Sequence, residues 1–141
     1  MDIQFVAGFG PITRGTADDA LAFWSHSFGI GFEEVGPGYF HSHDLPGTKA
    51  FALWPLAQAA EATFGTQQWP ADRPVPQAWL EFELASPDAV AAGAEELRAQ
   101  GHEILVDAHE EPWGQTTARL QSPEGLLVGL SYLPSFHADH A

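Results

Sequence analysis

The sequence predicts an α+β fold in which two tandem βαβββ modules form a paired, cleft-shaped mixed sheet within a single domain. Three observations carry this reading. The chain has 141 residues, enough to bury one sizeable core. Strand and helix patterns follow the order β-α-β-β-β twice. The helix boundaries of the second copy repeat those of the first, with the caps Thr16 and Ser86 separated by 70 residues and the closing glycines Gly29 and Gly101 by 72.

Each element has its own local signal. Phe5 to Ile12 is apolar and punctuated by glycine, as a buried strand is. Thr16, with Asp19 three residues later, makes a capping-box-like helix start; Leu21, Trp24 and Phe28 share one face, and Gly29 is placed to end the helix in the left-handed conformation. Strands are expected at Ile30 to Val35, Tyr39 to Ser42 and Ala50 to Trp54, parted by Gly36-Pro37-Gly38 and Leu45-Pro46-Gly47. Pro55 to Pro76 is rich in Ala, Gln and Pro and reads as a short helix over Leu56 to Phe64 followed by a loop containing Trp69.

The second copy begins with an alternating strand, Ala78 to Leu84. Ser86-Pro87 is an N-cap followed by Pro at the first helical position, Val90, Ala94 and Leu97 form the apolar stripe, and Gly101 closes the helix. Strands are expected at Glu103 to Asp107, Thr116 to Gln121 and Leu126 to Tyr132. Module one thus spans about residues 5–54, a linker 55–76, module two about 77–133, and a tail 134–141 carries His137 and His140 and is expected to be disordered.

Composition excludes several function classes. Five basic against 19 acidic residues leave a net charge of −14, which repels phosphate backbones and anionic lipid; nucleic acid and membrane are not expected partners, and a cationic small molecule would be drawn in. No cysteine is present, so disulfides, thiolate metal sites and cysteine nucleophiles are excluded. The N-terminus lacks a basic segment followed by an apolar run, and a cytoplasmic location is expected. Nucleophile-elbow, phosphate-loop and zinc-helix motifs are absent.

The run Ala20-Leu-Ala-Phe-Trp24 through Phe28-Gly29-Ile-Gly-Phe32, with Glu111-Pro112-Trp113-Gly114-Gln115 and Leu120-Gln-Ser-Pro123-Glu-Gly125, resembles the vicinal oxygen chelate superfamily. That superfamily includes glyoxalases, extradiol dioxygenases and bleomycin-resistance proteins, and the Glu-x-Pro-Trp-Gly form is most similar to the resistance branch. The resemblance implies a homodimer and, in metal-binding members, four His, Gln or Glu ligands on the first and last strands of each module. Counting back seven residues from each cap places two of those positions at Phe9 and Trp79; the others fall at Gly129 and within Phe51 to Trp54. None of these side chains coordinates a divalent ion, so no metal and no cofactor is expected.

Function is therefore sought in aromatic side chains. Phe9, Phe40, Trp54, Trp79, His109, Trp113 and Gln115 form the candidate ligand-binding set, with Trp113 held between a stiff Pro and a permissive Gly. The expected activity is metal-independent capture of a hydrophobic or aromatic small molecule, an antibiotic or other natural product, with no catalytic residue. The alternative is a lyase or dioxygenase-type enzyme of the same superfamily with a non-standard or absent metal site: a pair of histidines, His41 and His43, two residues apart beside Asp44, or a base among Glu81, Glu83 and His109. Glu81 and Glu83 share the face of Trp79, and that face is expected to be the outward one of a half-exposed strand.

Overall fold

The computed structural model describes the backbone of residues 1–140 and the side chains of residues 1–137. Module one consists of β1 (Phe5–Thr13), α1 (Ala17–Leu21), β2 (Glu33–Gly36), β3 (Tyr39–Ser42) and β4 (Ala50–Pro55). Helix α2 (Leu56–Phe64) leads into the linker. Module two repeats the order as β5 (Ala78–Glu83), α3 (Pro87–Ala99), β6 (Val106–Glu110), β7 (Thr116–Gln121) and β8 (Leu127–Tyr132).

The strands form one mixed sheet of eight in the order β2-β3-β4-β1-β5-β8-β7-β6. Each module places its first strand parallel to its last, β1 with β4 and β5 with β8, and the two first strands meet antiparallel at the centre. Across that seam Gly8 faces Glu81 and Gly10 faces Trp79. A shift of 71 residues carries Gly8 onto Trp79 and Gly10 onto Glu81, and so leaves this pairing unchanged.

Helices α1 and α3 cover one face. Leu21 and Trp24 pack on Phe40, Phe51 and Leu53, while Val90 and Ala94 pack on Leu84, Ala118 and Leu130. Helix α2 lies on the opposite face, where Ala59 joins Ile12, Ala52, Trp79 and Leu127. Trp69 anchors the linker there: its ring stands edge-on 4.9 Å from Phe64 and its Nε1 donates to the carbonyl of Pro74 at 2.9 Å.

The helix ends follow the local signals. Thr16 Oγ1 accepts from the Asp19 amide, and Ser86 Oγ from the Ala89 amide, each at 3.1 Å. At the end of α3, Gly101 takes φ +97°, and the His102 amide reaches back to the Leu97 carbonyl at 3.1 Å, closing the helix in the manner of a Schellman motif.

Three expectations are corrected. After Leu21 the first helix runs on as a π turn over Ala22–His26, with the Ser27 amide bonded to the Ala22 carbonyl at 3.2 Å. The inserted residue turns the stripe, so Phe28 is exposed instead of sharing the buried face of Leu21 and Trp24. Strands β2 and β6 begin three residues later than expected, because Ile30 and Phe32 serve core packing rather than pairing and β6 is set by its register with β7. The C-terminal segment is ordered through His137: Pro134–His140 forms a 3-10 helix, and His137 Nε2 lies 2.8 Å from Glu83 Oε2. The His140 side chain lies outside the described residues.

Where β1 runs beside β4 the backbones approach too closely for a side chain at Gly10, where a Cβ would lie 1.9 Å from the Ala52 carbonyl oxygen, whereas a Cβ at Gly15 would meet nothing within 4 Å. Gly10→Ala is expected to cost about 1–3 kcal/mol or more, and Gly15→Ala less than about 0.5 kcal/mol. Urea denaturation of the two variants checks this, and equal midpoints would refute the close approach.

Candidate functional site

The sheet face opposite α1 and α3 carries a cavity of about 1340 Å³. Because side chains alternate along a strand, one face collects Tyr39 and His41 from β3, Trp54 from β4, Trp79 and Glu81 from β5, and Gln115 and Arg119 from β7 with its preceding loop; all of them line the cavity. Trp113 stands at the mouth, and Leu133, Ser135 and Phe136 of the C-terminal segment close one end.

Space on this face is made by glycine. The Trp79 ring lies where a Cβ at Gly8 would be, 2.5 Å from Cη2, and its Nε1 donates to the Ala52 carbonyl at 3.1 Å. Glu81 similarly fills the space above Gly129, where a Cβ would come within 2.8 Å of its Cγ. Trp79 is buried and meets Trp54 edge-on at 6.1 Å; Trp54 in turn meets Tyr39 edge-on at 6.3 Å. These three rings form one continuous aromatic wall.

A hydrogen-bond chain runs from mouth to floor. Trp113 Nε1 donates to Gln115 Oε1 at 2.8 Å, and Gln115 Nε2 donates to Ser131 Oγ at 2.7 Å and to Glu81 Oε1 at 3.2 Å. Burial pushes the Glu81 carboxyl above its ordinary range, against the opposing pull of the Arg119 cation and the Gln115 hydrogen bond. His41 is driven the other way, down to about 4, by burial and by His43 beside it. Both His41 nitrogens are engaged, Nε2 with the Tyr39 hydroxyl at 3.2 Å and Nδ1 with His43 Nε2 at 3.3 Å.

Of the seven candidate ligand-binding residues, Trp54, Trp79, Trp113 and Gln115 line the cavity. Phe9, Phe40 and His109 do not, and their placement is corrected. Phe9 points to the helix-bearing face, 45% exposed, with its ring 6.1 Å from Phe51. Counting from the caps misplaces the register by one residue, which on a strand exchanges the two faces; the cavity-facing residue is Gly8. Phe40 is buried in the core with Phe51 and Leu53. His109 is exposed on β6, its Nε2 3.1 Å from Glu111 Oε1.

The face shared by Glu81 and Glu83 is the inner one. Glu83 is fully buried, and its Oε2 accepts from the Leu133 amide at 2.8 Å. Arg119 had no place in the sequence-based set. Its signal was a lone cation at every-second-residue spacing from Gln115 and Thr117, in a chain with five basic residues.

No protein-family profile matches this sequence, and no curated protein matches it. Solved structures do. A glyoxalase/bleomycin resistance protein/dioxygenase superfamily member from Vibrio splendidus is 12% identical, with 94% of this chain and all of that one covered at a TM-score of 0.60. The chain has the vicinal oxygen chelate fold. The same fold relates it to a methylmalonyl-CoA epimerase from Streptomyces coelicolor, 18% identical, with 93% of this chain and 95% of that one covered at a TM-score of 0.53. A Legionella pneumophila protein described as an NAD-dependent benzaldehyde dehydrogenase is 13% identical, with 89% and 97% covered at a TM-score of 0.61. At these identities the likeness is one of fold, and a fold does not select a chemistry.

Counted on the cavity face, the ligand positions of metal-binding vicinal oxygen chelate proteins are held by Gly8, Ala52, Trp79 and Gly129. Glycine and alanine bring no side-chain donor, and the Trp79 indole N–H is already given to a carbonyl. Glu81 is a single carboxylate where a divalent ion needs several convergent ligands at about 2 Å. Among the described residues no group of three or more His, Asp or Glu is arranged to hold such an ion. The residues present do not fit a metal.

Raising the folded-state pKa of Glu81 has a definite consequence for stability. Its contribution is fully present below the unfolded carboxylate pKa and is lost as pH rises through the folded value. Glu81→Gln, a neutral near-isostere that can still accept from Gln115, is therefore expected to raise the urea midpoint at neutral pH. The gain should shrink to nothing as pH falls toward about 4. A gap that instead widens on acidification, measured from neutral pH downward, would refute the assignment.

Proposed function

We propose that the chain is a metal-independent binding protein that holds a planar hydrophobic or aromatic molecule in this cavity and protects by sequestration, the ligand being an antibiotic or other natural product. The observation that carries the reading is the convergence of Trp54, Trp79 and Trp113 on one cavity whose ligand-bearing strand positions hold glycine, alanine and an indole. Planar ring systems gain both buried area and favourable ring geometry against such walls. The shared fold with a superfamily named for bleomycin resistance supports the choice of ligand class.

Trp113 offers the sharpest test, because it is 62% exposed and held in a tight turn by the Gly114 amide bonding to the Glu111 carbonyl at 2.9 Å. A ring so exposed contributes little to the fold, yet it stands where an entering ligand must pass. Thermal-shift screening of planar natural products identifies a ligand through the melting-temperature rise that binding to the native state produces. Trp113→Ala is then expected to weaken that ligand by roughly 5- to 150-fold while changing stability by less than about 0.5 kcal/mol. Unchanged affinity would remove Trp113 from the site.

We further propose that the chain forms a homodimer through the face bearing α1. What supports this is an exposed aromatic patch, Phe23 (54% exposed) and Phe28 (61%), whose rings lie 5.4 Å apart and both contact Trp24. Sedimentation of the wild-type chain is expected to give twice the mass of the Phe23→Glu/Phe28→Glu variant. A wild-type monomer at the concentrations used for binding assays would exclude the dimer.

A further inference from the structure

Arg119 is the buried group that the description so far leaves unexplained. It sits in the middle of β7, only 4% exposed, and lines the cavity. A guanidinium carries five N–H donors and is always charged, so its burial is costly unless those donors are met. Here Nη2 donates to Glu111 Oε1 at 3.3 Å, while Nε and Nη1 meet no acceptor among the described residues. The one acceptor is itself shared: Glu111 Oε1 also takes the Thr117 hydroxyl at 2.9 Å and faces His109 Nε2 at 3.1 Å.

Its place is in the cavity wall beside Glu81. Across the sheet Arg119 pairs with Gly129, which pairs with Glu81, and the Glu81 side chain lies over that glycine, its carboxyl pushed by burial toward the neutral form and drawn the other way by the Arg119 cation. The guanidinium carbon lies 5.5 Å from the centre of the Trp54 ring, placing the cation against the aromatic wall. The acidic groups of the lining are accounted for otherwise. Glu81 accepts from Gln115 and is pushed by burial toward its neutral form, Glu111 takes the Thr117 and Arg119 donors and faces His109, and Asp44 and Glu61 are exposed at the rim.

We propose that the molecule bound in this cavity is a planar aromatic carboxylate, its ring lying against Trp54 and its charge met by the unpaired donors of Arg119. The inference rests on the reading of the cavity as a small-molecule binding site, and it selects among ligands by charge. It runs against the sign of the overall field: the −14 net charge favours cations at long range, whereas the buried guanidinium favours an anion on contact.

Isothermal titration of the full-length, untagged chain with three probes of one shape tests it: 2-naphthoate, 2-naphthamide and 2-naphthylmethylammonium, at about pH 8, where the first and third are fully charged. The naphthoate is expected to bind about 10-fold or more tighter than the amide, the increment of a hydrogen bond to a charged group. Arg119→Met should abolish that preference. Glu111→Gln, which removes the competing carboxylate, should tighten the naphthoate and leave the amide unchanged. Equal binding of naphthoate and amide, tightest binding of the ammonium, or a preference that survives Arg119→Met would overturn the anion assignment and leave the cavity reading standing. Failure of all three probes to bind would overturn both. Should Arg119→Met not fold, the wild-type comparison and Glu111→Gln still decide.

Discussion

Everything distinctive about this molecule depends on the antiparallel seam between β1 and β5. Each βαβββ module alone would leave its first strand as an open edge; joining the two first strands removes those edges and makes one sheet of eight. The join is accommodated at Gly8 of β1, which admits the Trp79 ring, so an indole spans the seam and ties β5 to β4 through the Ala52 carbonyl; on the β4 side of β1, Gly10 admits that same carbonyl. The same two strands that in metal-binding proteins of this fold offer ligands here hold glycine at Gly8 and the Trp79 indole.

Charge is distributed so that exterior and interior pull in opposite directions. Acidic residues dominate the chain, yet the cavity keeps one of its five basic residues almost wholly out of solvent. Burial makes that choice consequential. Removed from water, an incompletely met guanidinium and a carboxyl pushed toward its neutral form interact far more strongly than the same groups on a surface. On the proposed binding reading, Arg119 and Glu81 act on a ligand at contact distance, while the acidic shell governs solubility and the approach of charged molecules.

Much of the fold was legible because helix ends are written locally. Thr16, Ser86-Pro87, Gly29 and Gly101 each act within a few residues of themselves, and α2 was readable over its full length, Leu56–Phe64. Strand faces were harder, since a face is decided by register and register by a distant partner. One residue of slip in β1 was enough to nominate Phe9 instead of Gly8, and the inner face of β5 looked like an outer one because Glu81 and Glu83 are charged. The π turn in the first helix is likewise invisible to a 3.6-residue pattern, and it is what leaves Phe28 outside. Trp54, Trp79, Trp113 and Gln115 line the cavity: Trp79 was reached by counting from the helix cap, and Trp113 and Gln115 through the loop motif that carries them. Arg119 was missed because its only signal, the every-second-residue spacing from Gln115, does not say which face of the strand is the inner one.

The chain of hydrogen bonds from Trp113 through Gln115 to Glu81 and Ser131 links these levels. Gln115 is buried and uses its oxygen on the mouth and its nitrogen on the floor, so the loop carrying Trp113 is oriented by groups belonging to β5 and β8. A ring that is mostly solvent-exposed is thereby held in one orientation without being packed. Such pre-orientation lowers the ordering cost that a free loop would impose on binding, which is where an exposed aromatic gains or loses its value as a contact. The seam shapes the cavity floor, and Gln115 carries that shape outward to the mouth.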